Sequence, residues 1–456
     1  MEYREESDSL GTVRVPRNAY YGAQTQRAVN NFPLSGLRFH PRFLHSLALI
    51  KRCAARINAS KGLIERETAE VVEKAAREVM QGEHEDQFPV DVFQTGSGTS
   101  TNMNMNEVIA TRANEILTGE KRTKHPVHPN DHVNRSQSTN DVIPSAIHMA
   151  ALGLIRDKVL PSVELLQRDL EDKSREFADI KKIGRTHLQD AVIMTLGEEF
   201  SGYAGQMARA AERLRDTTQR LARLAIGGTA VGTGLNVPPG FGREMAALIS
   251  EETGIAFEET PNHFESQGSC DAAVEAGGAL KTLGTGLIKI ADDIRWLASG
   301  PRCGLGEINL PALQPGSSIM PGKVNPVITE SVIQAGTQAA SNDAALGMCG
   351  QRGNFELNTM LPLVAYNLLQ SAELLANAAD LFARSCVRGI TANREQCEAN
   401  IRKSLAVVTN LVPYIGYDRG AAISARAYKE GRSVEEVALS ENVMPEADLR
   451  RVLYGE

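Results

Sequence analysis

The stretch LKTLGTGLIKIADDIRWL, residues 280–297, decides the fold class of this chain. Its apolar side chains recur every three or four positions, which is the spacing of one face of an α-helix. These positions are Leu280, Leu283, Leu287, Ile290, Ile294 and Leu297. A long helix cannot bury such a stripe alone, so we predict a bundle of helices that cross at shallow angles.

Three other segments carry the same spacing, at residues 152–170, 196–224 and 361–382. No long stretch alternates between apolar and polar residues, so a large sheet is not expected. We therefore predict an all-α protein with a long central helical bundle. The stripes in 196–224 and 280–297 look available on more than one side, which predicts burial against other subunits of a homo-oligomer.

Small residues occur within or next to two of these predicted helices, namely Gly202, Ala204, Gly205, Ala272, Ala273, Gly277, Gly278, Gly284 and Gly286. A glycine inside a helix costs up to about 1 kcal/mol relative to alanine. We expect a close approach between helices at these positions, which would compensate for that cost.

The flanks of the helical region differ from it in character. Polar loops that contain glycine occur before about residue 135, and a polar stretch with short helical patterns follows about residue 389. We predict three domains: an N-terminal domain of residues 1–137, a central helical bundle of residues 138–389 and a small C-terminal domain of residues 390–456.

The composition excludes several classes of function. The 456-residue chain has 42% hydrophobic and 23% charged residues, as expected for a globular protein. Its formal net charge of −7 and its lack of a basic block argue against binding to nucleic acid. An acidic protein that binds an anion needs a local positive site against its own field.

The cysteines and the N-terminus indicate in which cellular compartment the protein is expected. Six cysteines are scattered without a CxxC pair, so neither a disulfide framework nor a zinc site is expected. The acidic N-terminus has no apolar signal region, and no apolar run approaches the roughly 18 residues that span a bilayer. We expect a cytoplasmic protein that does not associate with membranes.

Residues 316–326, GSSIMPGKVNP, form the most distinctive loop of the chain. Ser317 and Ser318 supply hydroxyls, Lys323 supplies a positive charge and Asn325 supplies an amide. Proline and glycine shape the backbone around them, and loops of this kind on a rigid scaffold are where sites concentrate. The lysine meets the need for a local positive charge.

A nucleotide site is disfavoured. The Gly-Lys pair of the loop is followed by Val324, whereas a phosphate-binding P-loop requires serine or threonine there. The glycine-rich run at 227–234 has no lysine and follows no predicted strand.

Two further loops combine hydroxyls and amides. Ser97, Gly98 and Thr99 could bind a ligand or could simply cap a helix, and capping is favoured for this loop by itself. Residues 138–140, Ser-Thr-Asn, could cradle a carboxylate at the N-terminus of a helix that we place at about Val142. For this second loop capping and binding are equally open.

The segment GRTHLQD, residues 184–190, places His187 next to Thr186 and near Asp190. A histidine can transfer protons at neutral pH, but a structural histidine with satisfied hydrogen bonds is the safer interpretation for this segment alone. No second histidine stands at ligand spacing, so metal binding is not expected.

Taken together, these loops resemble the fumarase/aspartase superfamily. The superfamily pattern Gly-Ser-Ser-x-Met-Pro-x-Lys-x-Asn-Pro is complete at residues 316–326, and the blocks at 97–99, 128–131, 138–140 and 186–187 occur in the expected order. The similarity covers nearly the whole chain. It implies the three-domain fold of that superfamily, with the bundle forming a multi-subunit core.

Three local features resemble the class II fumarase branch more closely than the aspartases. His187 stands where aspartases have glutamine, Gly322 stands where they have alanine, and the block GNFELN at 353–358 is fumarase-like. Aspartate ammonia-lyase is the nearest alternative. Argininosuccinate and adenylosuccinate lyases fit less well, and intact motifs speak against a non-enzymatic scaffold of the same fold.

The resemblance implies a fumarate hydratase of the tricarboxylic acid cycle, which adds water reversibly and in anti geometry to give (S)-malate without a cofactor or metal. Ser317 would take the C3 proton of malate, and His187, supported by Glu330, would act as the acid on the opposite face. The remaining implied substrate-binding residues are Ser97, Gly98, Thr99, Ser138, Thr139, Asn140, Thr186, Ser318, Lys323, Val324 and Asn325.

The resemblance also implies a homotetramer whose active sites are each built from three subunits. A second anion site near the surface is implied for four consecutive residues, namely His128, Pro129, Asn130 and Asp131. The implied ligand is a small dicarboxylate, with no partner nucleic acid.

Overall fold

The computed structural model describes residues 2–455, and most of them lie in α-helices. The longer helices are α1 (Ala23–Asn31), α2 (Pro41–Ser60), α3 (Arg66–Met80), α4 (Thr99–Thr118), α5 (Thr139–Leu154), α6 (Leu160–Glu176), α7 (Leu196–Leu221), α8 (Phe241–Thr253), α10 (Asp271–Leu297), α11 (Val327–Gly350), α12 (Leu361–Ser385), α13 (Arg394–Lys403), α15 (Tyr417–Glu430) and α17 (Glu446–Tyr454). The shorter ones are α9 (His263–Gly268), α14 (Val412–Ile415) and α16 (Val434–Ser440).

The strands of the described region form only two-stranded pairings. They are β1 (Tyr3–Asp8) with β2 (Gly11–Pro16), β3 (Lys181–Thr186) with β4 (Gln189–Thr195), β5 (Arg223–Leu224) with β6 (Glu258–Glu259), β7 (Ile308–Asn309) with β10 (Thr391–Ala392), and β8 (Gly353–Asn354) with β9 (Leu357–Asn358). All are antiparallel except the pair β5 and β6. The predicted all-α class is confirmed.

The apolar stripes lie where the spacing predicts, because each one is the buried face of a helix. All six stripe positions of 280–297 are buried in α10. The stripe at 361–382 is likewise the buried face of α12. The stripe predicted at 196–224 is longer than the helix, because α7 ends at Leu221 and Leu224 is buried in β5.

The helix after the Ser-Thr-Asn block begins at Thr139, three residues before the predicted start at about Val142. Ser138 is the N-cap, and its side chain and that of Asp141 satisfy each other's backbone N–H groups in a capping box. The first turn of α5 is therefore polar, and apolar spacing cannot reveal a polar turn. The stripe at 152–170 then runs from α5 through a π-helical turn, Ile155–Val159, into α6.

Close helix approach at glycine is confirmed in α10. A Cβ on Gly284 would lie 3.3 Å from the backbone of Gly336, and one on Gly277 would lie 2.5 Å from the side chain of Leu346. A Cβ on Gly202 or Gly205 would meet nothing within 4 Å in this chain. For α7, close approach to a helix of another subunit stays a prediction.

The chain divides into two compact units, each built from several segments. Unit 1 comprises residues 1–161, 210–285 and 335–377, and in it α2 packs against α3, α5 and α8. Its core includes Leu47, Ile50 and Val72. The three-domain boundaries at 137 and 389 stay a prediction.

Unit 2 comprises residues 162–209, 286–334 and 378–456. Its C-terminal helices α15, α16 and α17 enclose a core with Ile183 of β3. This core anchors the β3–β4 hairpin, which carries one of the candidate functional segments.

Two features concern the chain as a whole. Its six cysteines are free thiols, of which only Cys303 is exposed. Among residues 2–455, no helix combines the length and the apolar character that crossing a membrane requires.

Candidate active site

The loop at 316–326 is held closed by hydrogen bonds between its two ends. The backbone N–H of Gly316 donates to the carbonyl of Lys323 at 2.7 Å, and the side-chain Nδ2 of Asn325 donates to the carbonyl of Gly316 at 2.8 Å. A Cβ on Gly316 would lie 2.8 Å from the Lys323 carbonyl oxygen, so only glycine allows this closure. Asn325 thus shapes the loop as well as offering an amide.

Ser317 sits inside this loop with its oxygen surrounded by backbone donors. Its Oγ accepts hydrogen bonds from the N–H groups of Ile319 at 3.2 Å and Met320 at 2.9 Å. Two donors aimed at one oxygen stabilise negative charge on it. The geometry therefore favours a Ser317 that can lose its proton.

The second half of the loop lines a cavity of about 860 Å³ within unit 2. Lys323, Asn325 and Glu330 contribute polar groups, and Leu188 and Trp296 contribute apolar ones. The side-chain amino group of Lys323 makes no hydrogen bond or ion pair with the described part of the chain. The cavity thus has one lysine whose charge is available to an anion.

His187 lies in the two-residue turn between β3 and β4. Thr186 pairs with Gln189, and both turn residues have positive φ, 56° for His187 and 58° for Leu188. Such turns usually contain asparagine and glycine, so a histidine and a leucine here carry backbone strain of about 1–3 kcal/mol each. Strain of this size at two exposed residues lowers stability, so it indicates that these residues have a role other than stabilising the fold.

The hairpin is anchored below this turn by a buried ion cluster. Arg185 donates to both carboxylate oxygens of Glu307, at 3.0 and 2.6 Å, and Lys182 lies 3.5 Å from the same carboxylate. Glu307 is 0% exposed and Lys182 is 1% exposed. Burial alone would raise the pKa of Glu307, but the hydrogen bond from Arg185 and the charge of Lys182 outweigh it and lower that pKa.

In unit 1, the start of α4 is formed by glycines. Gly98 is the N-cap residue, with φ of 80°, and has no side chain that could cap the helix, whereas the N–H of Thr101 in the first turn donates to Gln94 Oε1 at 3.0 Å. The capping interpretation favoured for this loop was therefore wrong, because the αL backbone of Gly98 forms the helix start. Ser97 and Thr99 instead bond each other through their hydroxyls at 2.8 Å.

The start of α5 lies beside that of α4. Thr139 Oγ1 accepts a hydrogen bond from Asn102 Nδ2 at 3.0 Å, and Ile143 packs within 3.4 Å of the Cβ position of Gly98. Asn140 Nδ2 donates to the carbonyl of Ala230 at 2.8 Å. Unit 1 thus brings the blocks at 97–99 and 138–140 together at two adjacent helix N-termini.

A polar group next to these N-termini was missed by the sequence reasoning. It contains the buried residues Lys51, Asn102 and Asp141, of which Lys51 and Asn102 are 0% and 1% exposed, and the half-buried Asn134 and Gln137. Burial raises the pKa of Asp141 to about 6, although three backbone N–H groups oppose that rise. The available signal was Lys51 within the apolar run LALIKRCAA of α2, where a charge is unexpected.

The block proposed as a second anion site is a short π-helical turn, Pro129–Val133. His128 Nδ1 accepts hydrogen bonds from the backbone N–H groups of Asn130 and Asp131, both at 3.2 Å. The donors that an anion would use are therefore engaged within the turn. Anion binding by His128, Pro129, Asn130 and Asp131 stays a prediction.

One cluster within residues 2–455 has the composition of a metal site. Glu78, Glu83 and His84 place their ligand atoms within 4.8 Å of one another. Glu78 already binds the guanidinium of Arg112 at 2.6 Å, so its charge is compensated. We assign no metal to this cluster.

The candidate residues therefore form two groups. Those at 97–99 and 138–140 belong to unit 1, whereas Thr186, His187 and the loop at 316–326 belong to unit 2. Within unit 2 the hairpin tip reaches the loop cavity through Leu188, but His187 is not among the residues that line it. The His187 imidazole makes no hydrogen bond or ion pair with any part of residues 2–455.

Comparisons with known proteins agree with the arrangement of these segments. Residues 11–340 match the family described as lyase, and residues 407–455 match the family described as fumarase C C-terminus. A fumarate hydratase class II from Nitrosomonas europaea is 52% identical over 438 residues, which cover 96% of this chain and 95% of the relative. One from Halobacterium salinarum is 52% identical over 455 residues, covering 100% and 97%.

A solved structure gives the same result. The class II fumarase from Schistosoma mansoni superimposes with a TM-score of 0.96 at 40% identity, covering 99% of this chain and 98% of that one. Identity at this level over nearly the full length is sufficient to assign a family. This chain belongs to the class II fumarate hydratase family.

Proposed function

We propose that this chain is a fumarate hydratase, which adds water reversibly across the double bond of fumarate to give (S)-malate. Family membership supports the reaction, and one observation supports the chemistry. That observation is the oxygen of Ser317, which receives two backbone N–H groups in a loop that borders a cavity containing a lysine.

Ser317 is proposed as the base that removes the C3 proton of malate. A serine hydroxyl is a very weak acid, so its alkoxide must be stabilised. The N–H groups of Ile319 and Met320 supply this stabilisation without reorganisation, and the charge of Lys323 adds to it. The same lysine and Asn325 suit one carboxylate of the substrate and the charge that develops on it.

The other carboxylate is proposed to bind at the N-termini of α4 and α5. Thr99, Ser138, Thr139 and Asn140 lie there, and a helix N-terminus favours an anion through its unpaired N–H groups and its dipole. Ser97 and Gly98 shape the start of α4. A substrate with two carboxylates would engage both of these sites.

His187 is proposed as the acid that assists the loss of hydroxide from the opposite face, through a water molecule, with Thr186 beside it. Glu330 would accept a hydrogen bond from the imidazole and raise its basicity. Acid and base on opposite faces of a planar alkene account for anti addition. Holding both in place supplies several kcal/mol of the reduction in barrier.

We further propose a homotetramer in which each active site combines residues of three subunits. Support comes from His187, whose imidazole has no partner within the described part of its own chain. No step of this mechanism requires a cofactor or metal. The place of the reaction in the tricarboxylic acid cycle follows from its substrate and product, and the cytoplasmic location stays a prediction.

The function is tested by following the absorbance of fumarate after adding malate, aspartate or neither. Malate alone should produce fumarate. Production from aspartate would identify an ammonia-lyase, and no production from either would identify a non-enzymatic protein of this fold.

The base assignment is tested with Ser317→Ala. Turnover should fall to background, while the oligomer and the binding of a dicarboxylate are retained, because only the proton acceptor is lost. Ser201→Ala, an exposed serine of α7, serves as the control and should keep the wild-type rate. A Ser317→Ala protein that turns over normally would show that another group removes the proton.

A further inference from the structure

A lysine that the proposed mechanism does not use lies beneath the proposed carboxylate site. Lys51 of α2 is 0% exposed, and its Nζ donates to Asn134 Oδ1 at 2.9 Å and to Gln137 Oε1 at 3.0 Å. Fully buried lysines are rare because removing the charge from water is costly. Packing alone gives no reason for a lysine here, since methionine or leucine would fill the same space.

The hydrogen bonds of Lys51 continue to the surface of the site. Asn134 Oδ1 also accepts from Asn102 Nδ2 at 3.3 Å, and that same Nδ2 donates to Thr139 Oγ1 at 3.0 Å. The series runs from Lys51 through Asn134 and Asn102 to Thr139. It ends on a hydroxyl in the first turn of α5, which is the proposed binding site for a substrate carboxylate.

Each link in this series fixes the orientation of the next. The ammonium group of Lys51 only donates, so Asn134 presents its oxygen to Lys51, and the Nδ2 of the same amide donates to the backbone carbonyl of Gln137 at 3.2 Å. The same oxygen then faces Asn102, which must present its NH₂ group because two amide oxygens in contact would repel. A hydroxyl has one donor and two lone pairs, so a Thr139 that accepts from Asn102 keeps its O–H free to donate elsewhere.

The opposite orientation would disable the hydroxyl. If Asn102 presented its oxygen, the O–H of Thr139 would donate to it rather than to a ligand. The observed orientation of Asn102 costs free energy, because its Oδ1 is buried and has no hydrogen-bond partner among the described residues. Within the described residues, the O–H of Thr139 has no acceptor.

Burial lowers the pKa of Lys51 to about 7, against the opposing effect of Asp141. The charged ammonium form has N–H donors and no acceptor, so only an amide oxygen can face it. The neutral amine has two N–H groups and a lone pair, so in that form the orientation of Asn134 also depends on the hydrogen bond from its Nδ2 to the carbonyl of Gln137.

We propose that Lys51 is a positioning residue for this reaction: through Asn134 and Asn102 it orients the Thr139 hydroxyl to donate a hydrogen bond to a substrate carboxylate. The proposal rests on the proposed function, because it assumes that Thr139 binds one end of the dicarboxylate. A hydrogen bond that is made equally to substrate and transition state affects KM and leaves kcat unchanged.

The test compares Lys51→Met, Thr139→Val and the double variant in the fumarate hydration assay. Lys51→Met keeps the volume of the side chain and removes its donors. It should raise KM about tenfold or more, the effect of losing a hydrogen bond to a charged group, with kcat within about threefold of wild type. In the double variant KM should equal that of Thr139→Val alone, because no hydroxyl remains to be oriented.

Asn58→Ala is the matched control. Asn58 also lies on α2 and is 0% exposed, and it binds Arg135 and Ser136, but it makes no hydrogen bond to Asn134, Asn102 or Thr139 among the described residues. It should reduce thermal stability while KM stays within about twofold. An equal rise in KM for Asn58→Ala and Lys51→Met would reduce Lys51 to a structural role and overturn the proposal.

A second variant covers the case in which Lys51→Met does not fold. Asn102→Leu keeps the branching and the number of heavy atoms of the side chain, removes the donor to Thr139 and leaves Lys51 in place. It should show the same rise in KM and the same lack of additivity with Thr139→Val. An unchanged KM, or additive effects in either double variant, would overturn the proposal, whereas a wild-type protein that does not hydrate fumarate would refute the proposed function itself.

Discussion

At the scale of single residues, the candidate site depends on side chains held in defined local geometries. Ser317 has an oxygen bound by two amide N–H groups, and His187 lies in a left-handed backbone conformation that a bulky side chain rarely adopts. Both make sense if the side chains must meet a substrate in a fixed geometry.

Substitution of His187 should lower the rate of the reaction without unfolding the hairpin. His187→Asn removes the proton donor and keeps a residue type that tolerates positive φ, so the hairpin should fold as before. We expect kcat to fall about a hundredfold or more, the usual size of an acid–base contribution.

The measurement is initial-rate kinetics in the direction of malate dehydration, with circular dichroism as a check of folding. His125→Asn, an exposed histidine in unit 1, is the control and should leave kcat unchanged. Full activity in His187→Asn would make this histidine a structural residue.

At the scale of elements, short turns carry the chemistry and buried polar contacts hold them. The hairpin β3–β4 is anchored by Glu307 between Arg185 and Lys182, and α5 is anchored by the capping box of Ser138 and Asp141. Sequence reasoning found the turns, because glycine, proline and hydroxyl residues mark them. It did not find Glu307, since its two cationic partners lie more than 120 positions away along the chain.

The anchor of the hairpin gives a prediction for stability. Glu307→Gln leaves Lys182 and Arg185 without their shared carboxylate in the interior of unit 2. We expect the free energy of unfolding to fall by about 3 kcal/mol, as is usual when one partner of a buried ion pair is removed. Scanning calorimetry at pH 7 measures the loss, and Glu398→Gln, whose carboxylate is exposed on α13, should change it by less than about 0.5 kcal/mol.

The same anchor predicts a dependence on pH. Arg185 and Lys182 hold the pKa of Glu307 below its ordinary value, so the folded state binds its proton less tightly than the unfolded state. The stabilisation is therefore complete above the unfolded pKa of about 4.3 and is lost as the pH falls through the folded value. The difference between wild type and Glu307→Gln should shrink in acid, and a difference that grows as the pH falls would contradict the assignment.

At the scale of the whole molecule, the stripes of α7, α10 and α12 account for an all-α fold without a large sheet. The residues of the proposed site are split between two compact units of one chain, and His187 has no partner among residues 2–455. Both observations are expected if each site is formed by residues from different subunits of a symmetric oligomer.

Mixed oligomers test this sharing. Ser317→Ala and His187→Asn are co-expressed with different affinity tags, and oligomers that contain both are purified in two steps. If a site takes Ser317 and His187 from different subunits, about one quarter of randomly mixed sites are intact, so activity should return to about one quarter of wild type. Light scattering should give a mass near four times the 49.4-kDa chain.

Each variant assembled alone provides the background for that experiment. Activity in the mixed oligomers that does not exceed the two backgrounds would mean that one subunit supplies both residues. That result would leave the hydratase activity in place and overturn only the shared site.

The fold class, most helix positions and the loop that contains Ser317 could be predicted from the sequence, because they depend on spacing and on residue types that are local. The start of α4 at Gly98, the polar first turn of α5 and the hydrogen bonds that connect Lys51 to Thr139 became apparent only in the folded chain. These features depend on contacts between residues far apart in the chain. The energy of a buried polar group is set by its neighbours, and no local pattern encodes them.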